Sequence, residues 1–426
     1  MDFGQYRELL GVAAVRRLLI VAMLARVPHA ASAMVLTLHV VNTLGLGYGA
    51  AGGVTAAVTI GIAFGGPWRG KLLDKNGLRR TLVLSIITEA IIWSIAPFLP
   101  YAFLIVAALI GGALAVPIFT IVRQALGVMV SSTQRRTAYA LDSIGTELTF
   151  MVGPAAGVAL AAVNTYAALV VIGISSSLAG LFLFWFNPPT RSGQAGSYQD
   201  EADAAVDCME ELAPAEIGGN VVLPVTGAAR RRFNKVQGSL SWMSVSVIAV
   251  LGAAVATGLT LTGTDVGIVG LLREHGQQEQ IGIVFLVWCA ASIVGGIIYG
   301  ALHRKINPLW LLLIMAVLTV PMGFAHETWA VVLLSIPPGL FCAPALSSTS
   351  EWIADLVPEQ RRGEAMGWFG SAITLGSAVG APMAGLAIDM VGPWGGFVTV
   401  GVIAAVLGAA GIVAQALWKR RRAALV

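Results

Sequence analysis

Gly66-Pro67-Trp68-Arg69-Gly70-Lys71-Leu72-Leu73-Asp74-Lys75-Asn76-Gly77-Leu78-Arg79-Arg80 sets five cations, one acid and four glycine or proline residues between two apolar runs. The rest of the 426-residue chain is its opposite: 57% of all residues are hydrophobic and 11% are charged, and the mean hydropathy is +0.82. Soluble chains carry about 25% charged residues to cover their surface, so most of this chain has lipid as its solvent. In hydrocarbon an unpaired peptide group costs several kcal/mol, which leaves helices or closed barrels. Apolar runs of roughly 20 residues fit helices, not ten-residue alternating strands. The expected fold class is all-α, a polytopic membrane protein.

Runs bounded by charge or by Gly and Pro clusters place twelve spans near 18–42, 50–67, 81–99, 101–129, 138–161, 166–186, 240–262, 281–301, 309–325, 329–353, 364–388 and 395–417. The first run, entered through Arg7, Arg16 and Arg17, lacks a short apolar core with a small-residue cleavage site and is expected to stay in the protein. Three units follow: 1–187 as an N-terminal six-helix bundle, 188–238 as a polar cytoplasmic linker, and 239–426 as a C-terminal six-helix bundle. The linker holds Asp200, Glu201, Asp203, Asp207, Glu210, Glu211 and Glu216 ahead of Arg230-Arg231-Arg232. With both termini cytoplasmic, 23 of the 26 Lys and Arg lie on the cytoplasmic side, the asymmetry that orients membrane proteins. The plasma membrane is the expected location.

The halves repeat. Gly65-Gly66 and Gly70 recur as Gly295-Gly296 and Gly300, and Gln134-Arg135-Arg136 as Gln360-Arg361-Arg362. Repeats of this kind set a site near the midplane and let one half rock against the other.

The pattern Gly70-x-x-x-Asp74-Lys75-x-Gly77-x-Arg79-Arg80 between spans two and three resembles the loop signature of the major facilitator superfamily, whose 6+6 layout agrees with the whole chain. Leu78 departs from the pattern, and the second-half copy reads Gly300-x-x-x-Arg304-Lys305, without the acid. The resemblance implies a gate: small residues permit close helix approach, Asp74 caps a facing helix N-terminus, and the Arg pair reaches carboxylates. Gly145, Gly153, Pro154 and Gly157 in span five resemble the Gly-Pro motif of proton-antiporting exporters of that superfamily. The same residues also serve close packing and a kink. The arginine common in span four of those exporters is missing near Ala108.

An ionisable group inside a span is a functional-site candidate. At 1.5 Å per residue, Arg26 and Glu89 lie about 13 Å in and Glu147 about 16 Å, at the midplane. Arg26, His29, Arg123, Asp142 and Glu147, with Glu89 on the third span, form the expected substrate and proton site. Glu147 is the first choice as proton carrier, and Arg123–Asp142 or Arg26–Glu147 pairs that only fix packing are the alternative. In the C-terminal half Glu351, with Asp355 nearer the surface, is the acid within a span and is assigned to the gate. Trp288, Phe341, Ser347 and Trp368 are candidate cavity walls for a substrate with apolar or aromatic surface.

Cys208, Cys289 and Cys342 show no metal-ligand spacing and read as small hydrophobes. No phosphate-binding GxxxxGK[ST] sequence or catalytic arrangement is present, so ATP drive and enzymatic activity are not expected, nor is a cofactor or a nucleic-acid partner. The reading is a monomeric secondary transporter that exports a small organic molecule against proton entry. The competing readings are a uniporter or nutrient importer, or a lipid exporter, with purely structural ion pairs.

Overall fold

The computed structural model describes residues 4–131, 133–191, 242–302 and 304–423. Among these the regular structure is helical: α1 (Gly4–Gly11), α2 (Ala13–Leu38, continued by a π turn at His39–Thr43), α3 (Tyr48–Asn76), α4 (Leu78–Ile95), α5 (Tyr101–Leu114), α6 (Ile118–Met129), α7 (Arg135–Val163), α8 (Thr165–Phe186), α9 (Val245–Glu274), α10 (Ile281–Gly300), α11 (Pro308–Thr319), α12 (Thr328–Leu356), α13 (Arg362–Val391) and α14 (Pro393–Ala423). Among the described residues eleven spans are long and apolar enough to cross a membrane, counting α5 and α6 as one, and Pro308–Phe324 is a shorter apolar helix.

The ninth span, expected over 309–325, is found at Pro308–Phe324, its end a 3₁₀ turn with Pro321 as second residue. Two other expected spans differ in detail. The seventh, expected to end at residue 262, runs to Glu274, since the Thr and Gly residues that read as an end pack inside the helix pair. Gly263 and Gly267, for example, lie against Val400 and Phe397. The fourth is broken at Ala115–Pro117. Pro117 has no N–H and forces the residue before it out of the helical region.

The repeat is visible in how the helices pair. In the first half α2 packs on α7 and α8, α3 on α5, and α4 on α8. In the second half the corresponding helices do the same: α9 on α13 and α14, α10 on α12, and α11 on α14. The halves meet through α3 against α13 and through α7 against α10 and α12, which are again equivalent pairs. Small residues make this approach possible: a methyl group at Gly70 would run into the Gly363 carbonyl, and one at Gly367 into that of Gly66. Gly77, at φ 79°, turns the chain between α3 and α4, a conformation that costs glycine little.

Candidate functional site

The opening stretch closes one end of the seam between the halves. Helix α13 starts at Arg362 and has no side-chain cap of its own, so the N–H groups of its first turn need acceptors. Asp74 supplies them from α3: its Oδ1 accepts from Gly363 N at 3.0 Å and its Oδ2 from Glu364 N at 2.7 Å. Gln124 Nε2 donates to the same Oδ1 at 2.9 Å and to the Thr190 carbonyl at 3.2 Å. A carboxylate at a helix N-terminus also meets the positive end of the helix dipole. Arg191 donates to the Asp74 carbonyl. Residues 188–191 thus open the expected linker packed on this cluster, and 192–241 lie outside the described residues. Among the described residues Arg79 does not reach a carboxylate: it donates to the Phe184 carbonyl at 3.3 Å and lies over the Phe184 ring, at the end of α8. Arg80 is exposed.

The second half closes the same end with the polarity reversed. Where Asp74 would recur stands Arg304, and the acid comes instead from α12. Glu351 accepts from Arg136 Nε at 3.3 Å and from the Tyr299 hydroxyl at 3.0 Å, with Lys305 at 3.6 Å. Arg136 and Thr137, in the first turn of α7, donate to the carbonyls of Leu302 and Gly300. Lys305 and Arg135 pair with Asp355. Helix α1, absent from the sequence reading, joins them: the Tyr6 hydroxyl donates to the Ile297 carbonyl at 2.9 Å.

Deeper along the seam Ser347 donates to Ser143 Oγ at 2.9 Å. Glu147 follows, its Oε1 accepting from Ser292 Oγ at 3.1 Å and Cys342 Sγ at 3.0 Å. Arg26, considered as its partner, is elsewhere. Its Nη2 lies 2.7 Å from Asp142 Oδ1 and its Nη1 donates to Thr146, while Arg123 Nε takes Asp142 Oδ2 at 3.2 Å. One carboxylate therefore serves two arginines, all three groups fully or almost fully buried. Phe119 and Phe369 stack on the guanidinium groups at 4.4 and 4.6 Å. Asp142 and Glu147 are on one helix but about 140° apart around it, so the first faces α2 and α6 and the second faces the other half. Among the described residues no cation lies within ion-pair reach of Glu147.

Glu89 is buried, pairs with His29 Nε2 at 3.4 Å and accepts from Val116 N at 2.9 Å. Gly145, Gly153 and Gly157 line up against Met23, Ala30 and Ala31 of α2, and Pro154 stands within an unbroken α7. Of the expected cavity walls, Trp288 and Ser347 are buried in packed regions, Phe341 is half-buried, and Trp368 is exposed.

The sequence reading missed Asp265. It sits on the part of α9 beyond the expected boundary, is exposed, and is close enough to Glu147 for the two charges to interact. A search for acids along the whole helix would have found it. Cys289 and Cys342, read as plain small hydrophobes, cluster about Glu147.

A family model described as Major Facilitator Superfamily matches residues 18–318 and 248–425. An uncharacterised MFS-type transporter of Methanocaldococcus jannaschii is 27% identical over 150 residues, 35% of this chain and 36% of that relative. The matched stretch thus spans about a third of the length of that curated relative. Solved structures share the fold over nearly the whole chain. A bacterial homologue of the iron transporter ferroportin, in an outward-facing state, gives a TM-score of 0.66 at 14% identity, covering 95% of this chain and 99% of that one. The proton:xylose symporter XylE gives 0.63 at 13%, covering 96% of each chain. The human organic anion transporter MFSD10 gives 0.61 at 16%, covering 95% and 98%. With its helix pairing, its repeat and the loop Gly70–Arg80 in accord, the chain belongs to the Major Facilitator Superfamily.

Proposed function

We propose that this protein is a secondary active transporter that exports a small organic molecule by alternating access, driven by proton entry. In this reading the end closed by Asp74, Arg136 and Glu351 is cytoplasmic, and the membrane is the plasma membrane. The observation that carries the reading is the nature of that closure. It includes carboxylate-to-N–H bonds, ion pairs and glycine contacts between two repeat-related halves, all of which rigid-body rocking can break and remake.

Glu147 is the proposed proton carrier. It stands in the seam, at the depth that the helix rise assigns to the midplane, and its partners, Ser292 and Cys342, are neutral donors from the opposite half. Rocking removes those donors and changes the environment of the carboxylate, and with it the balance between its charged and neutral forms. Proton coupling is stated for one structural neighbour, XylE; here Glu147 would provide it.

The test is counterflow in proteoliposomes of a compound retained from a thermal-shift screen of the purified protein, with and without a pH gradient. Accumulation that follows the gradient supports the proposal. Equal counterflow in both conditions favours the uniport reading, for which the fully buried Arg26–Asp142–Arg123 cluster is the supporting observation, since it looks like a fixed brace and not a site that cycles.

A further inference from the structure

We infer that Arg69, Ser85 and Glu89 are positioning residues that clamp the break in the fourth span, and so fix where Arg123 and Gln124 stand. The break at Ala115–Pro117 leaves peptide groups in the membrane interior without helical partners. Such backbone is tolerated only where protein groups satisfy it. Helix α4 does this with two side chains one turn apart on one face. Ser85 Oγ donates to the Ala115 carbonyl at 3.3 Å, and Glu89 Oε1 accepts from Val116 N at 2.9 Å. The carbonyl and the N–H of the one peptide group between Ala115 and Val116 are thereby held by the same helix.

Arg69 of α3 completes the clamp. Its guanidinium is 1% exposed and its Nη2 donates to Ser85 Oγ and, at 2.8 Å, to the Thr81 carbonyl. It is also near enough to Glu89 for their charges to interact. Buried positive charge in a span is costly, and here it is spent on the Thr81 carbonyl and on a serine that donates to the break. From α2, His29 Nε2 reaches Glu89 Oε1 at 3.4 Å. Among the described residues these are the charged and titratable groups facing the clamp from the helices around it.

The consequence lies one and two turns further on. Helix α6, which begins at Ile118, carries Arg123 to Asp142 and Gln124 to Asp74. A segment free to swing at Val116 would misplace both the buried arginine and the residue that braces the Asp74 cap. The clamp therefore holds the gate from a distance, through the direction of α6.

Hydrogen exchange of the full-length protein in nanodiscs, read over the peptide from Ala115 to Arg123, tests this for the wild type, Glu89→Leu, Glu89→Gln and Ser85→Ala. Glu89→Leu removes the acceptor and is expected to speed exchange at Val116 by about tenfold or more, in the range a charged-group hydrogen bond supplies. Glu89→Gln keeps an acceptor oxygen and is expected to restore most of the protection, and to recover counterflow at equal pH relative to Glu89→Leu. Ser85→Ala, a small change that leaves the fold intact, is expected to show a weaker form of the Leu effect. Unchanged exchange in both Ser85→Ala and Glu89→Leu overturns the clamp, as does a Gln variant that exchanges as fast as the Leu variant. Where Glu89→Leu does not fold, the Ser85→Ala and Gln results decide alone. The transport readout rests on the proposed function, but the exchange readout does not. Loss of protection in a protein that transports nothing counts against the transporter reading and leaves the clamp standing.

Discussion

The two carboxylate oxygens of Asp74 cap the first turn of α13 through Gly363 and Glu364, at 3.0 and 2.7 Å, although 289 residues separate Asp74 from Gly363. The contact joins the halves at a helix end that lacks any local cap. Asp74→Asn keeps one acceptor and loses both the second and the charge. A charge-assisted bond is worth about 1.5–3 kcal/mol, so the closed end should lose at least about tenfold in population relative to the open one. Transport is expected to slow strongly with near-normal expression and detergent-solubilised folding. Wild-type transport rates in this variant would remove Asp74 from the gate.

Gly70 tests the same closure by sterics. Its missing side chain lets the Gly363 carbonyl approach closer than any Cβ allows, and backbone cannot rotate away as a side chain can. Gly70→Val should hold the two halves apart at this end. Spin labels at positions 75 and 359, in a variant without native cysteines, are expected to report a longer mean distance than in the Gly70 parent. An unchanged distance distribution would show that this approach does not limit closure.

Asp142 and Glu147 are expected to behave oppositely in stability. Removing the charge of Asp142 leaves Arg26 and Arg123 buried without a counter-ion, a change that costs about 3–5 kcal/mol where a buried pair is broken. Asp142→Asn should lower the Tm of the purified protein well below that of Glu147→Gln, whose carboxylate has neutral partners. Equal Tm values for the two variants would contradict the charge assignment.

Much of this architecture was legible in the sequence because lipid imposes a coarse code. Runs of apolar residues, the Lys and Arg asymmetry, and the duplicated Gly and Gln-Arg-Arg motifs led to the helical class and the repeat. The loop Gly70–Arg80 led to the closed end. The sequence suggested the Arg123–Asp142 pair and the Asp74 cap, both present, but not the other partners. Arg26, placed opposite Glu147 by depth alone, turned to Asp142 because depth along a helix says nothing of its azimuth. Glu89, counted with the site on the third span, instead accepts from Val116 at a break before Pro117 that hydropathy reads as continuous apolar helix. Asp265 fell beyond a boundary drawn at polar residues that in fact pack helix on helix.

The proposed orientation makes a separate prediction. With both termini and residues 188–238 cytoplasmic, a protease confined to the outside of intact cells should spare the segment between α8 and α9, while the same protease cuts it in inverted vesicles. Cutting in intact cells would reverse the layout and with it the direction of the proton gradient that the transport reading requires.

Glu147 carries the central claim, that proton movement is coupled to the rocking of the halves. Gln in its place resembles the protonated acid and cannot cycle. The decisive measurement is transport of the same screened compound by Glu147→Gln and wild-type proteoliposomes, once with a pH gradient and once as exchange at equal pH. The account predicts that Glu147→Gln loses gradient-driven accumulation and keeps exchange, since exchange needs alternating access without net proton flux. Gradient-driven accumulation by Glu147→Gln at the wild-type level would contradict it.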